Sequence, residues 1–185
     1  NITINPSAQV NSIATQVKCS GDLVTINLST LNSVGSTTYS WTNSAPSIGL
    51  VNNSGNNITP FNAVNNGTEP IIATIIVTPS YTNGGVTCNG IPSTFTITVN
   101  PKAQVDLPAN QVFCNGTNTS SINFTTENTL GSTTYNWTNS NPGIGLLGSG
   151  SGPIPSFPAI NNGPIPLVAT IVVTPTYTYA GVNCI

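Results

Sequence analysis

A ten-residue stretch that occurs twice constrains the fold of this chain more than any other feature. Gly35-Ser36-Thr37-Thr38-Tyr39-Ser40-Trp41-Thr42-Asn43-Ser44 returns as Gly131-Ser132-Thr133-Thr134-Tyr135-Asn136-Trp137-Thr138-Asn139-Ser140. Tyr39 and Trp41 sit two apart, as do Tyr135 and Trp137, so each pair shares one face of a strand. The only two tryptophans of the chain fill this slot. A large aromatic at mid-strand with Thr and Ser between reads as the core plug of a small β-sandwich. Tyr39, Trp41, Tyr135 and Trp137 are therefore expected core residues. The stretch describes architecture and carries no chemistry.

The repetition runs from end to end. Asn5-Pro6 with Ala8-Gln9-Val10 recurs 95 residues on as Asn100-Pro101 with Ala103-Gln104-Val105, and Cys19 recurs as Cys114. After one inserted residue the offset is 96, from Trp41/Trp137 through Ala73/Ala169 to Cys88/Cys184. A period of this size suits an immunoglobulin-like sandwich and not a solenoid coil. Asn1-Ile2-Thr3-Ile4-Asn5-Pro6 matches Thr96-Ile97-Thr98-Val99-Asn100-Pro101, where one repeat ends and the next begins. The expected division is 1–5 as the last strand of a preceding repeat, 6–100 as a first sandwich and 101–185 as a second. Ile185 aligns with Asn89, so the second sandwich is expected to be truncated before its last strand, a window on a longer array.

Seven strands are expected in the first repeat. The first lies near Ala8–Val10 or extends towards Lys18. The second is Val24–Ser29, with Val24, Ile26 and Leu28 inward and Thr25, Asn27 and Ser29 outward. Thr37–Thr42 follows, then short strands near Ile48–Val51 and Ile58–Phe61. Ile71–Thr78 is almost continuously apolar, which predicts the centre of a sheet. Thr94–Val99 alternates Phe95, Ile97 and Val99 with threonines. Turn clusters such as Ser20-Gly21-Asp22 and Asn83-Gly84-Gly85 separate them. The fold class is all-β: two tandem seven-stranded sandwiches.

Composition narrows the functions. Charged residues make up 3% of the 185, and histidine is absent. About two residues in five are Asn, Thr or Ser, far from ordinary usage. Disorder is not expected, because 37% of residues are hydrophobic, the net charge is only −2 and apolar residues alternate with Thr. Two lysines and no arginine leave nothing to neutralise phosphates, so no nucleic-acid partner is expected. No apolar run is long enough to span a bilayer. The four cysteines fall at matching places in the two repeats. With no Cys-x-x-Cys spacing and no His, disulfides fit them better than zinc, which predicts an extracellular compartment.

The Tyr-x-Trp strand, the Ala-Thr-Ile-(Ile/Val)-Val-Thr-Pro strand and the closing Phe-Thr-Ile-Thr-Val-Asn-Pro resemble PKD-like immunoglobulin-fold repeats. Such repeats stand in tandem in very large cell-surface adhesins of Bacteroidota, including gliding-motility adhesins exported by type IX secretion. The resemblance spans the whole chain but carries no site. It implies a secreted spacer, an adhesin or extracellular filament, partnered by neighbouring repeats or by further copies of itself. The family's Trp-Asp-Phe-Gly-Asp-Gly is missing, since Thr42-Asn43-Ser44 follows Trp41, and its acidic or calcium-linked role has no counterpart here.

Catalysis needs titratable groups held together. The acids are Asp22, Glu69, Asp106 and Glu127, and none recurs at its aligned position. Without His there is no Ser-His or Cys-His nucleophile, so no enzyme and no cofactor are expected. A metal site would want clustered carboxylates, so none is expected. A Lys–Asn isopeptide staple finds no repeated design, because Lys18 aligns with Phe113 and Lys102 with Ser7. Nine Asn-x-Ser/Thr triplets follow from the composition and are not read as glycosylated. The Thr94, Thr96 and Thr98 run reads as the outer side of a half-buried strand and not as an ice-binding face. Tyr81, Tyr177 and Tyr179, read as exposed near the end of the sixth strand, are the candidate surface contacts. They support the alternative function, a carbohydrate-binding module that takes a surface polysaccharide.

Two expectations follow from strand direction in an immunoglobulin-like sandwich. Pairing within repeats would join Cys19 to Cys88 and Cys114 to Cys184. But the first strand ends at one end of the sandwich and the sixth at the other, about 30 Å away. A disulfide tolerates Cα separations of only about 4.4–6.8 Å. The favoured pattern is therefore inter-repeat, Cys19 with Cys184, leaving Cys88 and Cys114 to partners outside these residues. Second, a repeat without its seventh strand exposes a sheet edge beside its sixth. Chain beyond Ile185 is the preferred occupant, and the Asn1–Asn5 strand of a neighbour is the other.

Overall fold

The repeated stretch is a strand in both places, and each copy lies in its own compact unit. The computed structural model describes all residues, 1–185, and divides into Asn1–Pro101 and Lys102–Ile185. It is all-β with several sheets, and its only helical pieces are two three-residue 3-10 turns, Pro46–Ile48 and Pro142–Ile144.

The first unit holds β1 (Gln16–Cys19), β2 (Leu23–Val24), β3 (Ser36–Asn43), β4 (Asn53–Gly55), β5 (Phe61–Asn62), β6 (Ile71–Asn83), β7 (Val86–Asn89) and β8 (Ser93–Asn100). The large sheet runs β1-β8-β6-β3-β4, with β7 beside the far half of β6, and β2 pairs β5 in a second layer. Between the layers Val24 and Ile26 meet Tyr39, Trp41, Ile75, Val77, Phe95, Ile97 and Val99, all buried. As expected, β6 is the centre of its sheet. It is not buried on both faces, however: Ile72 and Ile76 are exposed, so its outer face lies open.

β6 contains Pro79, which has no N–H to give to a ladder. The proline falls where β6 changes partner. Pairing with β8 ends at Val77↔Ser93, pairing with β7 begins at Ser80↔Asn89, and the Gly90 N–H bonds the Pro79 carbonyl at 3.0 Å. No ladder bond is lost there. At the tip, Gly84 and Gly85 both take positive φ, +60° and +76°, as a two-residue hairpin turn requires.

Several expected strands are displaced. Ala8–Val10 is not a strand; the first is β1. Asn32 replaces the ladder, its Oδ1 accepting from the Gln9 N–H at 2.7 Å and its Nδ2 donating to the Ser7 carbonyl at 3.1 Å. Only Leu23–Val24 of the second run is paired, although Val24 and Ile26 are buried and Thr25, Asn27 and Ser29 exposed as the alternation predicts. Ile48–Val51 is replaced by the turn Pro46–Ile48, with Gly49 at φ +103°, and by β4. Ile58–Phe61 contracts to β5.

The second unit holds β9 (Ser132–Asn139), β10 (Ser149–Ser151), β11 (Ile171–Tyr179) and β12 (Val182–Cys184), in the order β10-β9-β11-β12. Across the core, Phe157, Ile154 and Ile122 pack against Trp137, and Phe124 lies 5.4 Å from Tyr135 between ring centroids. Trp137 is buried as expected, while Tyr135 is half-buried.

Candidate functional site

The tyrosines expected at the surface are in the interior. Tyr81 is 2% exposed and Tyr177 0%, which corrects their reading as surface contacts. The Tyr81 hydroxyl donates to the Ser33 carbonyl at 2.7 Å and accepts from the Gly35 N–H at 3.0 Å. Tyr177 likewise donates to the Thr129 carbonyl at 2.7 Å. The chain wraps around each hydroxyl, and the wrap forces Val34 and Leu130 into positive φ, 76° and 61°. It also explains the glycine that opens the repeated stretch. A Cβ at Gly35 would lie 2.7 Å from the Tyr81 ring, and one at Gly131 2.5 Å from the Tyr177 ring. The signal was in the sequence, as a Gly/Tyr pair conserved between the two repeats at the same offset. Tyr179 is half-buried in β11. A sugar-stacking cluster of three rings is therefore not formed.

Asn43 and Asn139, two residues past Trp41 and Trp137, are buried clasps. Asn43 Nδ2 donates to the Leu50 carbonyl at 2.7 Å and its Oδ1 accepts from the Ala45 N–H at 2.9 Å. Asn139 makes the same pair with Leu146 and Asn141, at 3.0 Å each. The acids are scattered: Asp22 accepts from the Cys19 N–H at 2.9 Å, and Asp106 from the Thr125 hydroxyl at 2.6 Å. No three His, Cys, Asp or Glu side chains come together.

Cys19 and Cys184 are disulfide-bonded to each other, while Cys88 and Cys114 are free thiols, half-buried and exposed. Register within the first unit gives the reason that Cys19 and Cys88 do not pair. Cys19 lies opposite Asn100, at the end of the sheet where Ile71 meets Val99, and Cys88 lies opposite Tyr81. From Ile71 to Tyr81 is about 33 Å along β6.

The second unit has an open edge. In the first unit Ile71–Ala73 pair only with β8, because pairing with β3 begins at Ile75↔Asn43 and only Thr74, bonded to Ser44, lies between. β1 likewise pairs only with β8. No strand equivalent to β8 stands in residues 102–185, and both dependants are lost with it. β11 begins at Ile171, the counterpart of Ile75, so Leu167–Thr170 are not strand. Gln111–Cys114, the counterpart of β1, is not strand either. Val112 and Val168 are 95% and 75% exposed. Beside β10, a shallow open groove of about 360 Å³ is lined by Trp137, Gly150 and Val172.

The fold and its internal clasps define a protein of β-sandwich class with a disulfide-bonded chain. No protein-family model matches the chain, and no curated protein matches it. No helix is long and apolar enough to cross a membrane.

Proposed function

We propose that this chain is a load-bearing spacer, a non-catalytic run of PKD-like repeats in a secreted cell-surface adhesin or extracellular filament. The observation that carries the reading is the Cys19–Cys184 bond. Tension applied to the two ends of the chain passes from Cys19 to Cys184 through a covalent bond, so the chain between the two cysteines carries none of it. The residues that the two repeats share, Gly35/Gly131, Tyr81/Tyr177 and Asn43/Asn139, support it too, because they serve internal clasps and leave no shared ligand-facing set. A bond of this kind persists in an oxidising compartment, which supports an extracellular location.

Force spectroscopy with the chain held at its ends tests the proposal. The 164 residues between Cys19 and Cys184 are shielded, so the oxidised chain releases only residues 1–18 from the first unit and none of the length between the cysteines. Reduction releases a contour gain of roughly 580 Å, at about 3.5 Å per residue. Release of chain length from between the two cysteines in the oxidised chain would overturn the load-bearing role. Saturable binding to a polysaccharide, lost on Tyr179→Ala, would favour a recognition module instead.

A further inference from the structure

We infer that the second unit carries a sugar-binding cleft, in which Phe124 and Tyr135 hold an uncharged pyranose residue of a polysaccharide. The inference goes beyond the spacer reading, and its site is separate from Tyr179.

The cleft opens where β10 leaves β9. β10 pairs with β9 as far as Ser151↔Asn136, and the Gly152 N–H bonds the Tyr135 carbonyl at 2.9 Å. Gly152 then turns at φ +68°, and the chain crosses to the other layer, where Ile154 and Ile122 exchange two backbone hydrogen bonds at 2.9 Å. Between this crossing and the edge of β9 lies a cavity of about 430 Å³, whose lining includes Phe124, Thr133, Tyr135, Asn136, Ser151 and Pro153. That volume falls within the usual range of small-molecule pockets, roughly 300–1,000 Å³. The cavity stands on the β10 side of β9, and β11 lies on the other.

The first unit shows how the same corner is tied down. β4 reaches one residue further and pairs Gly55 with Tyr39. Asn57 Oδ1 accepts from the Leu28 N–H and from the Ile58 N–H, each at 3.0 Å, which fastens the crossing to Leu28. Tyr39 is left 4% exposed. In the second unit Pro153 stands in place of Asn57, and Phe124 in place of Leu28. Proline has no side-chain amide to make that tie. Tyr135 is half-buried, and its ring lies 5.4 Å from that of Phe124, tilted by 44°.

The lining selects the ligand. The two rings and Pro153 offer an apolar patch to the C–H face of a sugar. The Thr133 and Ser151 hydroxyls and the Asn136 amide supply donors and acceptors beside it. An aliphatic ligand would leave those groups unpaired. No charged side chain lines the cavity, so a phosphate, sulfate or carboxylate finds no counter-charge there. Burial first, and then the Asp106 charge, raise the Tyr135 phenol above its ordinary 10.0, so it stays a neutral hydroxyl, bonded to the Thr126 side chain. The same Asp106 charge repels anions. An uncharged sugar presents an apolar face and a rim of hydroxyls, and it matches both parts of the lining.

The test titrates the full chain with maltoheptaose, mannohexaose, xylohexaose and chitohexaose, with heparin as the anionic alternative and a proline-rich peptide as the peptidic one. Calorimetry and amide chemical shifts are the readouts. A neutral oligosaccharide is expected to bind saturably, with shifts centred on residues 133–136 and 151–152, equally at low and high salt. Phe124→Leu, which copies the first unit, should weaken binding about ten-fold. Adding Pro153→Asn should abolish it, while the thermal transition of the second unit is kept. Asn136→Ala, at an exposed position outside the core, should weaken it about five-fold. Failure of every neutral sugar to bind, tighter binding of heparin or of the peptide at these residues, or sugar binding indifferent to Phe124→Leu and Asn136→Ala overturns the inference. None of these outcomes touches the force-extension result, so the spacer reading stands or falls separately.

Discussion

The two repeats share their framework but differ in how much of it is completed. The first unit buries Ile75 and Val77 fully, and their counterparts Ile171 and Val173 are only partly buried. The difference traces to one strand. β8 brings Phe95, Ile97 and Val99 into the core, and it also holds β1 and the first four residues of β6 in the sheet. A strand pair is cooperative in this sense: hydrogen-bonding groups without a partner do not stay extended on propensity alone.

A second difference is a slip of one residue. β4 pairs Asn53 with Trp41, whereas β10 pairs Gly150, the counterpart of Ser54, with Trp137. In the first unit the Asn52 side chain accepts the Asn43 N–H at 2.7 Å. Gly148 stands in its place and has no side chain, so its carbonyl takes the Asn139 N–H at 2.8 Å and draws the strand along. The Trp137 ring then lies over Gly150, so close that a Cβ there would run into it. Trp41 donates its indole N–H to the Val51 carbonyl at 3.1 Å, while the buried Trp137 N–H has no partner.

The comparison can be broken most directly by supplying the strand. A copy of Gly90–Pro101 appended after Ile185 should stabilise the second unit by on the order of 5 kcal/mol, since each buried Phe, Ile or Val contributes about 1.5–3 kcal/mol before ordering costs. Amide exchange should slow across Leu167–Thr176, and thermal unfolding of the unit should move up. No change in either would show that β8 is not what separates the repeats.

The slip predicts an asymmetric pair of substitutions. Gly150→Ala drives a methyl into the Trp137 ring and should cost about 1–3 kcal/mol. Ser54→Ala, at an exposed position, should stay within about 0.5 kcal/mol. Denaturant unfolding of single-tryptophan variants reads each unit by itself, and equal effects would refute the register difference.

A smaller effect lies at the hairpin tips. Ala180 stands at φ 49° where the first unit has Gly84. A Cβ in that region is strained, by roughly 1–2 kcal/mol. Ala180→Gly should therefore stabilise the second unit by up to about 1 kcal/mol after the added freedom of the unfolded chain. Gly84→Ala should destabilise the first.

The smallest effect appears at high pH. Burial raises the Tyr39 phenol above its ordinary value of 10.0. Tyr135 is raised by burial and then by the Asp106 charge, against a lowering hydrogen bond from Thr126. For an acid whose folded pKa is raised, the stabilisation is complete below the unfolded value and is lost as pH rises through the folded one. Both units should hold their stability to about pH 10 and lose it above. Asp106→Asn should reduce the shift of Tyr135 and leave that of Tyr39 unchanged, as followed by near-ultraviolet absorbance.

Local patterns foretold some of this well. The alternation in Val24–Leu28 and Phe95–Val99 named the buried faces, and the apolar Ile71–Thr78 named the central strand. The tyrosines were misread because a phenol is apolar in its ring and polar at its tip, and exposure depends on where the tip finds a partner. Tyr81 and Tyr177 find it in the Ser33 and Thr129 carbonyls, nearly fifty residues earlier. The Asn32 and Asn43 clasps were hidden for a related reason. In a chain so rich in Asn, nothing local tells a clasp from a solvated side chain.

By itself the sequence determined that there are two like repeats, which residues alternate inward, and that strand direction sets Cys19 and Cys88 apart. Those properties follow from periodicity, which is local to each segment. Only the tertiary structure decided that β1 and the start of β6 exist where β8 stands beside them and vanish where it does not. The residues are nearly the same in both repeats: Gln16-Val17-Lys18-Cys19 against Gln111-Val112-Phe113-Cys114. A strand's hydrogen-bonding groups are satisfied by a neighbour distant in the chain, so the same segment is a strand or not according to what lies at its side.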